Sequence, residues 1–373
     1  MTIPKVAVVG FEIGIISGFD NAKSAHIQYI YNLVQSLQRS GVYTQIITNK
    51  LRKNTYIPSN LLLNPPKIIP DPRVRNDSFV HVSGHSKKIN FFDALRSIMS
   101  ITSIIFEEKY THVHFANGGL GVGFYACVCN FLTLFRCSVS WSPTSLPSKK
   151  SLKWTIMSYM LNQLKHIVVS TEYQASLLKA LNLSPLVIKH GSTRNFRLDN
   201  VSTKKRVTFW RDPSYSNGAD IALSSFLELS KEFPEIIFTL MFRPHYDPIV
   251  IPNALPKNVE IHYYPYPSEI SLEHVLSETL LCVFPFRSLS TNPQLSVLES
   301  ICAEIPCIVT NIESLPEYVL DKQLIILENS PHILSSKIRD FILTKVNFRP
   351  THPSLNGYTW KNFSERYVST FTH

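Results

Sequence analysis

The sequence predicts an α/β protein made of two units in series, each a parallel sheet covered by helices on both faces. Three observations predict it. The chain has 373 residues, more than one hydrophobic core usually serves. Short runs rich in Val, Ile and Phe alternate with stretches whose apolar residues fall at helical spacing. A polar segment, Asn195 to Lys205, divides that alternation in two. With 44% hydrophobic and 17% charged residues, the composition is that of a globular chain and excludes a disordered one.

In order, Lys5 to Gly10 reads as a short buried strand. Ala25 to Leu37 places Ile27, Ile30, Leu33, Val34 and Leu37 on one helical face, and Gly41 ends that helix. Tyr43 to Thr48 is the second strand. Leu51 to Lys88, rich in proline and charge, reads as a long excursion. Thr111 to Phe115 is the next strand. The longest apolar run follows, Gly119 to Phe135. It is nearly long enough to span a membrane. Its three glycines, Asn130, Thr133 and its place directly behind a strand favour a buried helix. Ser138 to Trp141, His166 to Ser170 and Leu186 to Lys189 are strands, with a helix over Pro147 to Lys165. Beyond the polar segment come strand Arg206 to Trp210, helix Ala219 to Glu232, and strands Ile236 to Phe242, Val259 to Tyr263 and Leu280 to Phe284. Helix Pro293 to Ala303 and strand Cys307 to Thr310 close the series. Such Rossmann-like sheets bind ligands at the carboxyl ends of their strands, and two of them are expected to face each other across a cleft.

The six cysteines lie in apolar segments without a CxxC pair, so the plain reading is buried free thiols in a reducing cytoplasm. Val6 to Gly10 is too short for the core of a secretory signal. The net charge of +10 is uneven. Met1 to Phe196 carries 21 Lys+Arg against 8 Asp+Glu, and the remainder carries 16 against 19. Two readings stay open for the basic half: a soluble surface, or one that meets an anionic partner such as phospholipid or a phosphate-bearing acceptor. The helix over 147–165 combines Lys149, Lys150, Lys153 and Lys165 with Trp154, Met157 and Tyr159. It fits either an amphipathic helix packed on its sheet or a peripheral contact with the inner face of a membrane. No zinc pattern or RNP-like run supports a nucleic-acid partner.

The segment Leu281 to Thr310 carries the most chemistry. A strand ends at Phe284, a polar loop follows, and a helix starts near Pro293, a good first-turn residue. Its free N–H groups and dipole suit a phosphate. Glu299, nearly two turns in and flanked by Val297, Leu298 and Ile301, could accept two hydroxyl hydrogen bonds, as a ribose offers. Upstream, Arg211 follows a strand and Gly218 precedes a helix. An arginine there offers a fork of donors for a diphosphate.

The order strand, loop, Pro293-Gln-Leu-Ser-Val-Leu-Glu299-Ser300, Pro306-Cys307, strand, Leu315-Pro-Glu317 resembles the donor segment of the GT-B-fold retaining glycosyltransferases. These form the large glycogen-synthase-like group, also called glycosyltransferase group 1, and this chain would be a divergent member. The resemblance implies a GT-B fold: an acceptor domain over residues 1–195, a nucleotide-sugar domain over 205–350, and a closing helix in 355–373 that returns to the first. It implies Glu299 on the ribose, Leu295 and Ser296 at the diphosphate, and Asn292 and Thr291 near the sugar. Thr291 stands where the family has a catalytic glutamate. Arg211 matches the family's basic residue and would assist the leaving diphosphate. Gly218 matches its glycine, and Asn217 stands where a lysine is usual. Arg243 and Arg287 could supply the second cation, although Arg243 could equally pair with Asp247. On the acceptor side the resemblance is weaker and points to Ser17, Gly18, Asn117 and His114. His112 and His114, two apart on a strand, would be structural on a plainer reading. Trp141 to Thr144 holds no histidine where many members have one.

The function implied is a hexosyltransferase-like transfer, with retention, from a nucleotide-sugar to a glycan, lipid-linked or protein acceptor. No cofactor and no metal are implied, since no DxD-like carboxylate cluster stands in a suitable loop. The departures at Thr291, Asn217 and Trp141 define the alternative, an inactive GT-B-like binding subunit or scaffold. A nucleotide-sugar epimerase is a third reading.

Overall fold

The structure is a computed structural model. It describes residues 4–10, 15–16, 25–49, 55–56, 64, 66–69, 91–116, 118–144, 146, 152–192, 205–242, 248–263, 271–289, 292–319, 321–344 and 355–370. The chain divides into two compact units: residues 1–191 with 358–373, and residues 192–357.

In unit 1 the strand β1 (Lys5–Val9) is followed by β2 (Ile15–Ile16), α1 (Ala25–Arg39), β3 (Tyr43–Asn49), β4 (Thr55–Tyr56) and β5 (Lys67–Ile69). Next come α2 (Phe91–Glu108), β6 (His112–Ala116), α3 (Leu120–Leu132), β7 (Ser138–Ser142), α4 (Leu152–Leu161), β8 (His166–Val169), α5 (Glu172–Lys179) and β9 (Pro185–Val187). Seven strands form one parallel sheet in the order β5-β3-β1-β6-β7-β8-β9, and β2 pairs antiparallel with β4. The pleat sends alternate residues to opposite faces. Ala7, Val9, Val113, Phe115, Val139 and Trp141 join the core beneath α2 to α5. Val6, Val8, Ile46 and Val168 join the core beneath α1. Both faces are buried, which is why these strands read as continuous apolar runs.

Unit 2 repeats the plan with β10 (Arg206–Arg211), α6 (Ala219–Leu229), β11 (Ile237–Phe242), β12 (Val259–Tyr263), α7 (Leu272–Ser277), β13 (Thr279–Phe284) and α8 (Leu295–Cys302). It ends with β14 (Cys307–Thr310), β15 (Ile325–Ile326) and α9 (Pro331–Thr344). Its parallel sheet has the order β12-β11-β10-β13-β14-β15. Both sheets therefore reverse strand order beside their first strand, between β1 and β6 and between β10 and β13. Such a reversal parts the flanking loops and opens a crevice.

The last helix, α10 (Trp360–Ser369), belongs to unit 1 and packs on α1. Thr359 caps it by accepting from the Asn362 N–H at 3.1 Å. Ser36 Oγ donates to Trp360 O at 2.7 Å and lies 2.8 Å from Ser364 Oγ. Gly191 lies against its start: a Cβ there would stand 2.6 Å from Trp360 N. The expected closing helix is present and returns to the first unit.

Several elements differ from expectation. The apolar run 119–135 is a 13-residue helix and a turn, with Ala126 and Cys129 in the core. Among the described residues no helix is long and apolar enough to cross a membrane. The helix at 293–303 begins at Leu295, with Gln294 as its N-cap, so Pro293 precedes it. The long excursion contributes the edge strand β5, and α2, α5, α7 and α9 have no counterpart in the sequence reading. Burial of one face by tertiary packing stabilises them beyond their weak local periodicity.

Candidate functional site

The site is built where the strand order of unit 2 reverses, at the carboxyl ends of β10 and β13. β10 ends in Trp210 and Arg211. Trp210 is buried, and its Nε1 donates to Ser300 Oγ in α8 at 2.9 Å. Ser300 Oγ in turn donates to Ser296 O at 2.8 Å. The strand end that carries Arg211 is thereby fixed to the helix that carries Glu299. Arg211 itself is partly exposed at the strand tip.

The loop beyond β10 forms a short turn, Tyr215–Asn217, capped by Ser214. Gly218 then adopts φ +72°, a left-handed conformation that side chains resist. A Cβ at this position would lie 1.8 Å from Pro285 O, on the loop beyond β13. Glycine is required twice over, for its φ and for this approach of two backbones. Arg287 continues the junction: its N–H donates to Ser216 O at 2.9 Å, and its guanidinium donates to Tyr215 O at 2.6 Å. It also makes a two-pronged pair with Asp220, at 2.6 and 2.7 Å, which raises the guanidinium pKa further. Asn329 Nδ2 donates to Pro285 O at 2.9 Å and Phe286 O at 3.0 Å, and Thr310 Oγ1 donates to Phe286 O at 2.8 Å.

α8 closes the site. Gln294 supplies no side-chain cap, and the Leu298 N–H bonds to Gln294 O at 3.0 Å. Leu295 and Ser296 are its first two residues, whose N–H groups have no partner inside the helix. Ser296 is 2% exposed, and among the described residues its Oγ has no hydrogen-bond partner. Glu299 is 3% exposed, a rare setting for a carboxylate. Asn292, just before the helix, donates from Nδ2 to Glu313 Oε2 at 2.8 Å and accepts from Ser314 Oγ.

Arg211, Asn217, Gly218, Arg287, Asn292, Leu295, Ser296 and Glu299 thus all belong to unit 2 and its loop junction. The structure gives three of them bonds that the sequence did not announce. Asn217 is buried and turns its amide to Asp212 O at 3.3 Å. Asn292 is engaged by Glu313 and Ser314, and Arg287 by Asp220. Ser17, Gly18, Asn117, Arg243 and Thr291 lie outside the described residues. Trp210, Ser300, Asp220 and Asn329 were missed. Asp220 in the first turn of a helix was a readable signal, whereas nothing local marks Asn329, 44 residues from Pro285.

His114 has a different setting. It is fully buried, with Nδ1 2.9 Å from Ser140 Oγ and Nε2 3.4 Å from Tyr29 Oη. Ser140 Oγ bonds Tyr367 Oη of α10 at 2.7 Å, and Tyr29 donates to Ser142 Oγ at 3.2 Å. Burial lowers the His114 pKa to about 3, so the ring is neutral. Its bonds join β6, β7, α1 and α10, the structural role anticipated as the plainer alternative. His112, half-buried on the same face, is lowered to about 4.

The architecture is found in solved structures of known activity. A glycosyltransferase from Rickettsia africae aligns over 100% of this chain and 98% of its own, with TM-score 0.70 and 12% identity. The pneumococcal O-GlcNAc transferase GtfA, in complex with UDP and GlcNAc, aligns over 100% and 99%, with TM-score 0.67 and 9% identity. UDP-GlcNAc 2-epimerase from Neisseria meningitidis, bound to UDP-GlcNAc, aligns over 99% of both chains, with TM-score 0.59 and 12% identity. No protein-family model and no curated protein sequence matches the chain. At these identities the likeness is one of fold, and the fold is GT-B, as the resemblance of the donor segment implied.

Proposed function

We propose that unit 2 holds a nucleoside-diphosphate sugar at its switch point and that the protein is a hexosyltransferase-like glycosyltransferase. The observation that carries this is the convergence, at one sheet end, of Arg211, the start of α8 and the buried Glu299. A diphosphate before α8 meets the positive end of the helix dipole and the N–H groups of Leu295 and Ser296. Ser296 Oγ adds a buried donor. Arg211 opposes the charge that grows on the diphosphate as the sugar leaves. Glu299 accepts from two ribose hydroxyls, and Thr291 and Asn292 are the expected contacts of the sugar. The acceptor, a glycan, a lipid-linked glycan or a protein, attacks on the face the diphosphate leaves, with retention. Ser17, Gly18 and Asn117 are its expected contacts.

Two other readings have support. The likeness to an epimerase favours an enzyme that rearranges the sugar of the same ligand. The neutral Asn217, with its amide turned to Asp212, favours a subunit that binds without catalysis. Calorimetric titration with nucleoside diphosphates and their sugars tests the site, with wild type beside Glu299→Gln and Arg211→Ala. Removing the charge of the buried Glu299 or the guanidinium of Arg211 should weaken binding by about tenfold to a hundredfold. Loss in both variants supports the site, and no binding by wild type removes it. With the bound sugar nucleotide in hand, release of nucleoside diphosphate only with an acceptor identifies a transferase. A rearranged sugar nucleotide without acceptor identifies an epimerase.

A further inference from the structure

Three neighbouring helices of unit 1 turn apolar side chains to solvent. α2 carries two apolar stripes. Ile98, Ile101 and Ile105 face the core. Phe92, Leu95, Met99 and Phe106 form a second stripe at helical spacing and are exposed. Thr102, which bonds Cys129 of α3, falls between the two stripes at about 3.6 residues per turn, so the outer stripe borders α3. On α3, the neighbouring Asn130 Nδ2 donates to Gln163 O, just beyond α4, at 2.7 Å. Phe124 and Phe131 lie on the side of α3 opposite Cys129 and Asn130 and are exposed. On α4, Trp154, Met157 and Leu161 face the core, while Ile156 and Tyr159 are exposed. The outer stripes of α2, α3 and α4 thus form one face.

Its area decides what can cover it. Phe92 is 77% exposed, Tyr159 74%, Phe131 67% and Phe135 60%. Together with the nearly half-exposed Phe106 and Phe124 they offer about 700 Å², at roughly 200 Å² for a whole aromatic residue. That exceeds the ~300–600 Å² of the largest patch on a typical monomer and comes close to the ~800 Å² that each partner gives to a stable interface. The exposed Met99, Leu134 and Ile156 add to it.

Composition and backbone agree with the area. α3, the middle helix, has no charged residue in its 13 positions. An apolar, aromatic centre depleted of charge is the composition of an interface between identical subunits. Behind α3, Leu134 and Phe135 have φ of +51° and +60°, a conformation that bulky side chains resist and glycine usually fills. Two consecutive residues accept backbone strain while their apolar side chains stand in solvent, and strain retained against stability points to function.

We propose that the α2–α3–α4 face of unit 1 is the interface of a homodimer, in which two copies of the chain pack α3 against α3. A two-fold axis along α3 lays the α2 edge of each copy over the α4 edge of the other. Among the described residues the exposed charges of α2 are Arg96 and Glu107, one of each sign. That edge is balanced and does not repel the α4 edge, where Lys165 is exposed. The inference is independent of the nucleotide-sugar reading.

Sedimentation velocity of the full chain between about 1 and 100 μM tests it. The protein should sediment at twice its 42.5 kDa at the upper end and dissociate on dilution. Phe131→Asp sets two carboxylates against each other beside the two-fold axis. It should raise the dissociation constant about a hundredfold or more. Phe131 is exposed, so the circular dichroism spectrum of this variant should match that of wild type. Should it fold poorly, Leu134→Gly/Phe135→Gly removes two exposed apolar side chains where glycine suits the backbone, and should raise the constant about tenfold. A monomer at every concentration overturns the proposal, as does a dimer that Phe131→Asp leaves intact, which would use another face. A monomeric chain whose binding to phosphatidylglycerol vesicles is abolished by Phe131→Asp would show that the face meets lipid, and would also overturn it.

Discussion

Units 1 and 2 share a strand order and a reversal beside the first strand, yet they place their buried polar groups differently. In unit 1, Tyr29, His114, Ser140, Ser142 and Tyr367 bond to one another under α1 and α10. At the carboxyl end of the unit 2 sheet, polar groups stitch two loops together and, among the described residues, leave Ser296 Oγ without a partner. One arrangement locks a helix, and the other shapes a crevice. The same topology therefore supplies a closed core in one place and a candidate binding site in another, and the side chains decide which.

The sharpest way to break this contrast is Gly218→Ala. The new Cβ meets Pro285 O and requires an unfavourable φ, so the junction must open. We expect a loss of about 3 kcal/mol in the stability of unit 2, read by denaturant unfolding, with nucleotide binding lost. The counterpart in unit 1 is Gly191→Ala, which drives α10 off its seat through Trp360. We expect a loss of about 2 kcal/mol, with nucleotide binding to unit 2 retained.

Acid should separate the units next. Burial lowers the pKa of His114 to about 3 and that of His190 to about 4, from an ordinary 6.5. Their folded pKa values are depressed, so the unfolded chain binds protons first. The stability they contribute is full above about pH 6.5 and is lost as pH falls towards 4. In unit 2, Glu260 and Glu278 are held below their ordinary 4.5 by hydrogen bonds and ion pairing with Arg206, so that loss begins at lower pH. Unit 1 should accordingly unfold at a higher pH than unit 2, as followed by hydrogen exchange in each. His114→Gln should flatten the acid limb of unit 1 and leave that of unit 2 in place. Unfolding of both units at one pH would erase this distinction.

The smallest expected effect is that of Arg287→Ala. The pair with Asp220 is partly exposed, so its contribution to stability is about 0.5 kcal/mol or less. If the pair serves to hold the crevice, nucleotide affinity should fall several-fold while the thermal midpoint barely moves.

Most strands and the helices α1, α3, α8 and α10 could be read from the chain because their signals are local: apolar period, a glycine stop at Gly41, a polar break at 195–205. Arg211, Gly218 and Glu299 were also readable, since a motif fixes their spacing within one strand-loop-helix passage. The edge strand β5 and the helices α2, α5, α7 and α9 were not, because burial against a neighbour stabilises them more than their own sequence does. α2 shows why. Its two apolar stripes are equivalent in sequence, and only the packed sheet determines that Ile98, Ile101 and Ile105 turn inward while Phe92 and Met99 remain outside.

The sequence by itself determined the two-unit α/β plan and the residue types that a nucleotide-sugar site needs, because hydrophobic periodicity and turn chemistry act between near neighbours along the chain. Tertiary structure alone decided that Asn329 holds the Pro285 loop, that Asp220 engages Arg287 and that Ser140 links His114 to Tyr367 of α10. Those bonds join residues far apart in the chain, and the choice of partner depends on which groups folding brings within about 3 Å of one another.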